Sequence, residues 1–200
     1  MTTTERVRNL SMGEYFLRKY DQGSRTLAFD ATTRERFASW KDEFSARLRE
    51  CLGPFPEPCD LDPETIEVVD EGTYWREKVL FNSEPDMAVV AYVLVPKDIA
   101  PGERRPAILA CHGHGHGKDD LVGMDHGERR RVETIANLNY DYARQFANRG
   151  YVVIAPDWRG FGERRMGGEA PPRDVCNVLE IKAMLLGLNM LTLNVWDAKC

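Results

Sequence analysis

No serine follows Ser83 in this chain of 200 residues, and no histidine follows His126. The five serines (Ser11, Ser24, Ser39, Ser45, Ser83) lie in the first half, and none stands in a G-x-S-x-G setting. A nucleophile elbow of that type is therefore missing from these residues. Long apolar runs are missing too. No segment reaches membrane-spanning length, and the opening MTTTERVRNL is too polar for a secretory signal. The cysteines (Cys51, Cys59, Cys111, Cys176, Cys200) are odd in number and form no C-x-x-C pair, so they read as reduced thiols, several of them buried, in a cytoplasmic protein. Positive charge is not in excess either. A net charge of −5 argues against a nucleic-acid partner, and the basic run Arg129, Arg130, Arg131 reads as a solvated loop or helix. No internal repeat or low-complexity tract is found.

What is present suits a soluble globular protein with a real core, since 42% of the residues are hydrophobic and 30% charged. The first sixty residues read as a helical extension (1–60). TTRERFASWKDEFSARLRECLG opens with Thr32 and Glu35 at capping-box spacing. It aligns Phe37, Trp40, Phe44, Leu48 and Cys51 on one face, expected to pack on the main domain. GPFPEPCDLDPE then forms a proline-punctuated linker. From Thr65 the texture turns to strands. WREKVLF and MAVVAYVLV form a hairpin joined through residues 82–86, and PAILAC is a short buried strand. YDYARQFANRG is a helix that puts Tyr142, Ala143, Phe146 and Ala147 on one stripe and leads into a second buried strand, YVVIAP. Strand, helical crossover, strand is the unit of a parallel sheet. The tail is helical with a break at Gly187, and the chain stops at Cys200 apparently within a helix. Two parallel strands make half a sheet, so an open edge with exposed apolar surface and self-association is expected.

The densest chemistry lies in AILACHGHGHGKDDLVG, residues 107–123, where an apolar run ends in three His-Gly pairs. Phosphate-loop readings fail: Gly117-Lys118 is followed by Asp119, and neither Gly113, Gly115, Gly117 nor the later GFGERR keeps the third glycine of G-x-G-x-x-G. A metal reading has ligands at hand in His112, His114, His116 and His126 with Asp119, Asp120 and Asp125, but no later histidine could complete a second ligand set. A third reading needs only the main chain. Glycines directly after a buried strand let the backbone turn sharply and leave its N–H groups open, placed to stabilise a developing oxyanion at the mouth of a sheet. A plain glycine turn with exposed histidines is the bland alternative. Cys111, beside His112, reads as a packed core thiol because neighbouring strand side chains point to opposite faces.

PAILACHGHGHGKDD, then YARQFANRGYVVIAPDWRGFGER, then LLGLNMLTLNVWDAKC resembles the first half of an α/β-hydrolase. It is most similar to the dienelactone hydrolase and acetyl xylan esterase-like branch, over about residues 65–200. The H-G-x-G of residues 112–115 matches that family's oxyanion loop, the D-x-R-G-x-G of residues 157–162 its next landmark, and Trp196-Asp197 the start of the helix before the nucleophile strand. The resemblance implies an α/β fold: an incomplete α/β-hydrolase domain (61–200) whose mixed sheet runs from N-terminal antiparallel strands into parallel ones. It implies that the His114 N–H is the main oxyanion donor and Gly115 a second candidate. Gly113 would help shape the turn, His112 would brace the loop, and Asp157 and Arg159 would order its surroundings. Residues 116–139 would line the substrate pocket. No cofactor, metal or membrane partner is implied; the substrate would be a small-molecule or carbohydrate ester. The family's serine, acid and histidine all come later than its oxyanion loop, so the chain reads as an N-terminal part, inactive alone. Rival expectations are a metal-dependent hydrolase using His112, His114 and His116, and a non-catalytic interaction module.

Overall fold

The computed structural model describes residues 8–166 and 172–200. The first seven residues of the expected 1–60 extension thus lie outside the described residues. Contacts divide the chain at Cys51/Leu52. The smaller unit holds α1 (Met12–Gln22) and most of α2 (Arg34–Leu52). Ser11 caps α1 by accepting from Glu14 N. The cap of α2 falls one residue later than the expected Thr32/Glu35 box: Thr33 Oγ1 accepts the Arg36 N–H at 3.2 Å. That register puts Arg36 at the third helical position, where it turns back in a fork to Asp30 (3.0 and 3.1 Å). The aromatic stripe is real. Trp40 stacks on Phe44 at 5.1 Å, Phe29 meets it edge-on at 4.9 Å, and its indole N–H donates to Leu27 O. Within this unit the stripe is thus met by the preceding segment of its own chain.

The larger unit is built on a mixed five-stranded sheet in the order β1-β2-β3-β5-β4. β1 (Glu64–Asp70), β2 (Tyr74–Glu84) and β3 (Met87–Pro96) form an antiparallel meander. The β2–β3 turn is tighter than expected. The strand runs on through Asn82 and Glu84, with an irregularity at Ser83, so only Pro85 and Asp86 remain as the turn. β5 (Val152–Pro156) lies antiparallel to β3 and parallel to β4 (Ala107–Leu109). The expected change from antiparallel to parallel strands therefore occurs at β5. Five further α-helices are described in the unit: α3 (Lys118–Leu121), α4 (Arg129–Leu138), α5 (Tyr142–Ala147) and the pair α6 (Pro172–Leu185) and α7 (Met190–Lys199). α5 buries Ala143 and Ala147 against β3 and β5, with Tyr142 and Phe146 flanking, as its spacing implied. Among the described residues no single helix is long and apolar enough to cross a membrane.

β4 is less buried than its composition suggested. Among the described residues it is flanked by β5 alone. Ile108 and Ala110 are covered while Ala107, Leu109 and Cys111 are exposed, a period-two pattern that continues past the strand end. Cys111 is consequently not a packed core thiol. Nor are the other cysteines buried, since Cys51 and Cys200 are exposed and Cys59 and Cys176 partly covered. Apolar surface is also open on α6 and just beyond it, where Ile181, Met184, Leu185 and Leu186 are exposed.

α7 joins the sheet through two polar anchors. Asn189 caps it by accepting from Leu191 N and Thr192 N, so the helix starts there and not at Trp196-Asp197, which lie in its last turns. The Trp196 indole N–H donates to Ser83 O at 2.7 Å. The buried Asp197 carboxylate accepts from Arg159 Nε (2.9 Å) and Nη2 (2.6 Å) and from Arg164 Nη1 (2.7 Å). Burial would raise the pKa of Asp197, but hydrogen bonds from Arg159 and the Arg164 charge outweigh it and hold the carboxyl below its ordinary value. Its contribution to stability is therefore complete above that ordinary value, near 3.8, and is lost as pH falls through the depressed one. Replacing Asp197→Ala leaves Arg159 with Glu84 as its carboxylate and Arg164 with none, and should cost about 3–5 kcal/mol in urea unfolding. It should also flatten the acid limb of stability against pH.

Candidate active site

The later part of the turn after β4 is shaped by two buried carboxylates. Asp157, fully buried at the end of β5, accepts from Lys118 N (2.7 Å), Lys118 Nζ (2.9 Å) and Glu163 N (3.0 Å). A Cβ at Gly117 would lie 2.1 Å from Asp157 Oδ1, and one at Gly162 would lie 2.2 Å from either carboxylate oxygen. Both glycines also have positive φ. Their role is to let one carboxylate touch the backbone of two loops. Gly115 serves Asp120 in the same way, because a Cβ there would fall 2.3 Å from Asp120 Oδ2. That oxygen accepts His116 N at 2.7 Å, while the other takes Arg131 Nε at 3.1 Å. The glycine spacing that fails as a phosphate loop fits carboxylates supplied by the chain itself.

His112 closes the arrangement. Its Nδ1 lies 2.8 Å from Gly113 O, and its Nε2 accepts the Trp158 N–H at 3.0 Å. A carbonyl on one nitrogen and an amide N–H on the other require the neutral ring with its proton on Nδ1. Burial pushes the pKa of His112 down, more than the Gly113 hydrogen bond raises it. The imidazole therefore ties the turn after β4 to the turn after β5 and has no nitrogen left to act as a base. Phe161 packs edge-on against both His112 (5.2 Å) and His114 (5.5 Å).

With His116 N and Lys118 N taken by carboxylates, the amides before them stay open. Among the described residues no N–H from Cys111 to Gly115 has an acceptor, and the last three of these, on the glycine turn itself, are those of Gly113, His114 and Gly115. They sit on a turn fixed at both ends, which is the requirement for a preorganised anion pocket. His114 and Gly115, the two donors expected from the sequence, are in this group and also line a cavity of about 340 Å³ together with His116, Arg131, Thr134 and Tyr140. The imidazoles do not converge in the same way. His112 is fully engaged and His126 Nε2 pairs with Asp119 at 2.9 Å. Among the described residues no three His, Cys, Asp or Glu side chains are grouped to hold a metal ion.

Arg159 and Asp157 are spent on ordering loops: Arg159 holds Asp197 and also pairs with Glu84, while Asp157 joins the two turns. Sequence reasoning missed Lys118, which is 1% exposed and rests between Asp157, Glu163 and the Tyr92 ring. Burial alone would lower its pKa, but Asp157 and Glu163 overcome this and raise it. Its partners lie 39 and 45 positions away, so no local pattern marks it. Asp197 was visible only as half of a Trp-Asp landmark. Its clamp on Arg159 and Arg164 had no sequence signal.

Two measurements test this construction. Gly117→Ala meets both the positive φ and the Asp157 oxygen and should destabilise by at least about 2 kcal/mol in denaturant titration. Because the folded pKa of His112 is depressed, its contribution is complete above the ordinary value of 6.5 and is lost as pH falls below it. Stability should therefore decline between pH 7 and 5, and less steeply in His112→Gln.

Comparison with known proteins agrees with this fold. The crystal structure of a protein proposed to be an acetyl xylan esterase, from Bacteroides fragilis, superposes with a TM-score of 0.77 at 21% identity. The match covers 99% of this chain and 51% of that one, so the chain spans about half the length of that relative. A methylesterase (TM-score 0.49, 17% identity, 88% of this chain and 36% of that one) is a more distant match. So is an acetyl xylan esterase from Paenibacillus sp. R4 (TM-score 0.35, 16% identity, 72% and 36%). No curated protein is matched by sequence. The family model of the Abhydrolase family matches residues 17–182, reaching back into α1 well before the strands that first suggested it. On that match over most of its length, the chain belongs to the Abhydrolase family of α/β-hydrolases.

Proposed function

We propose that these residues form the oxyanion-binding part of a serine-dependent hydrolase of carboxylic esters. One observation carries the reading: three successive amides without an acceptor among the described residues, on a turn pinned by Asp157, Asp120 and His112. In the reaction a serine hydroxyl attacks the acyl carbonyl and a histidine takes its proton. The carbonyl oxygen gains negative charge and is held by the His114 N–H, with Gly115 as second donor. His112, Gly113, Asp157 and Arg159 position that turn and exchange no proton with substrate. Residues 61–200 carry this half of the catalytic fold and residues 1–60 extend it. The relative proposed to be an acetyl xylan esterase supports a small acyl ester, a carbohydrate ester among the candidates, with the cavity beside His114 taking part of the substrate.

No G-x-S-x-G stands in these 200 residues and no histidine follows His126, so on this reading the chain alone should form no acyl-enzyme. A fluorophosphonate probe should leave every serine unlabelled, and p-nitrophenyl acetate should hydrolyse at the background rate. The pocket itself is testable in the isolated chain. Titration with butylphosphonate, a tetrahedral oxyanion mimic, should move the amide ¹⁵N–¹H signals of His114 and Gly115 beyond all others. His114→Pro, which deletes the donor, should abolish the response. Shifts confined to the imidazole signals, or none in the 113–115 amides, would sink the reading.

A further inference from the structure

The proline-punctuated segment 53–63 runs beside α7, and its course is fixed by contacts at both ends. Thr192 Oγ1 donates to Leu52 O, and the Phe55 ring meets Trp196 at 6.2 Å between centroids. Further on, Leu61 O accepts Asn82 N at 2.7 Å, while Trp196 Nε1 donates to the O of the next residue, Ser83. Segment and helix thus converge on the same end of β2. Thr192, Trp196 and Cys200 are spaced by four and share one face of the helical repeat. Leu52 meets the first and Phe55 the second. Cys59 stands four residues after Phe55 and two before the Leu61 anchor, on the part of the segment between these two contacts. The pKa of Cys200 is pushed up by burial first, then by Asp197 and by the Cys59 thiol.

Both thiols are free, Cys59 partly covered and Cys200 exposed. We propose that Cys59 and Cys200 are an oxidation-sensitive pair that closes to a disulfide and ties the segment before β1 to the end of α7. With glutathione disulfide as oxidant, one cysteine thiolate attacks a glutathione sulfur and displaces the first glutathione thiolate. The second cysteine thiolate then attacks the protein-bound sulfur and expels the other. The protein loses two hydrogens and two electrons, and the oxidant takes them up as two thiols. The bridge would lie one turn beyond Trp196 and next to Asp197, the carboxylate that fixes the loop after β5. It would stiffen the support of the candidate site without touching it, and it would constrain the unfolded chain through a long closed loop.

The test uses the whole chain with glutathione disulfide, read by intact mass after thiol blocking and by thermal unfolding. Expected are a monomer lighter by two hydrogens and a Tm that rises on oxidation and falls back with dithiothreitol. Both effects should vanish in Cys59→Ser and in Cys200→Ser and persist in Cys51→Ser, Cys111→Ser and Cys176→Ser. Dibromobimane, which fluoresces when it bridges two nearby thiols, should report the pair in the reduced protein with Cys51, Cys111 and Cys176 all changed to serine. A bridge that survives Cys59→Ser or Cys200→Ser would overturn the proposal. So would glutathione adducts alone with no bimane signal in that triple variant, or a disulfide found only between chains.

Discussion

A fully buried carboxylate sets the terms for this molecule. Asp157 ends β5 with no access to water, and a charge in that position persists only if every oxygen is answered by a donor. Two backbone amides and one ammonium supply the answer, from Lys118 on one turn and Glu163 on the next. Because amides can come that close only where no Cβ intervenes, the requirement fixes glycine at 117 and 162. Lysine at 118 follows from the same need for neutralisation. Remove the carboxylate and the turns after β4 and β5 lose their common point of attachment.

The second layer works outward from the same strand. Arg159 and Arg164 flank the turn that begins at Asp157, and both are held by Asp197 from α7. α7 in turn hangs on the β2 end through Trp196. A chain of hydrogen bonds, charge-assisted at Asp197 and neutral at Trp196 and His112, thus runs from the end of β2 through the β5 turn and across His112 to Gly113 O. Such a network fixes position by geometry more than by net energy, since buried ion pairs return little beyond the desolvation they incur.

How much of this was legible in the sequence depended on the range of the interaction. The meander, the parallel β4–β5 pair, the α5 stripe and the break at Gly187 follow from periodicity and turn chemistry within a few residues, and each was readable. Errors came where a neighbour in space decides. The α2 cap moved to Thr33, where Arg36 could reach Asp30. Cys111 looked buried because its strand is apolar, yet β4 has a partner on one side only among the described residues. At the candidate site, His114 and Gly115 were singled out as proposed donors through the H-G-x-G pattern. Lys118 was passed over as the remnant of a failed phosphate motif. Its meaning depends on Asp157, 39 positions later, and no window of sequence contains both.

The three unshared amides combine two properties that seldom occur together. Their surroundings are tied down, by His112 on one side and by the Asp120 and Asp157 carboxylates on the other, yet the N–H bonds themselves lack any protecting carbonyl. A site of this kind has its dipoles aligned before any guest arrives, so the energetic penalty of organising it was met when the chain folded. Substitutions at the scaffolding glycines and acids around such a turn should therefore disturb its main chain more sharply than substitution of the His114 ring.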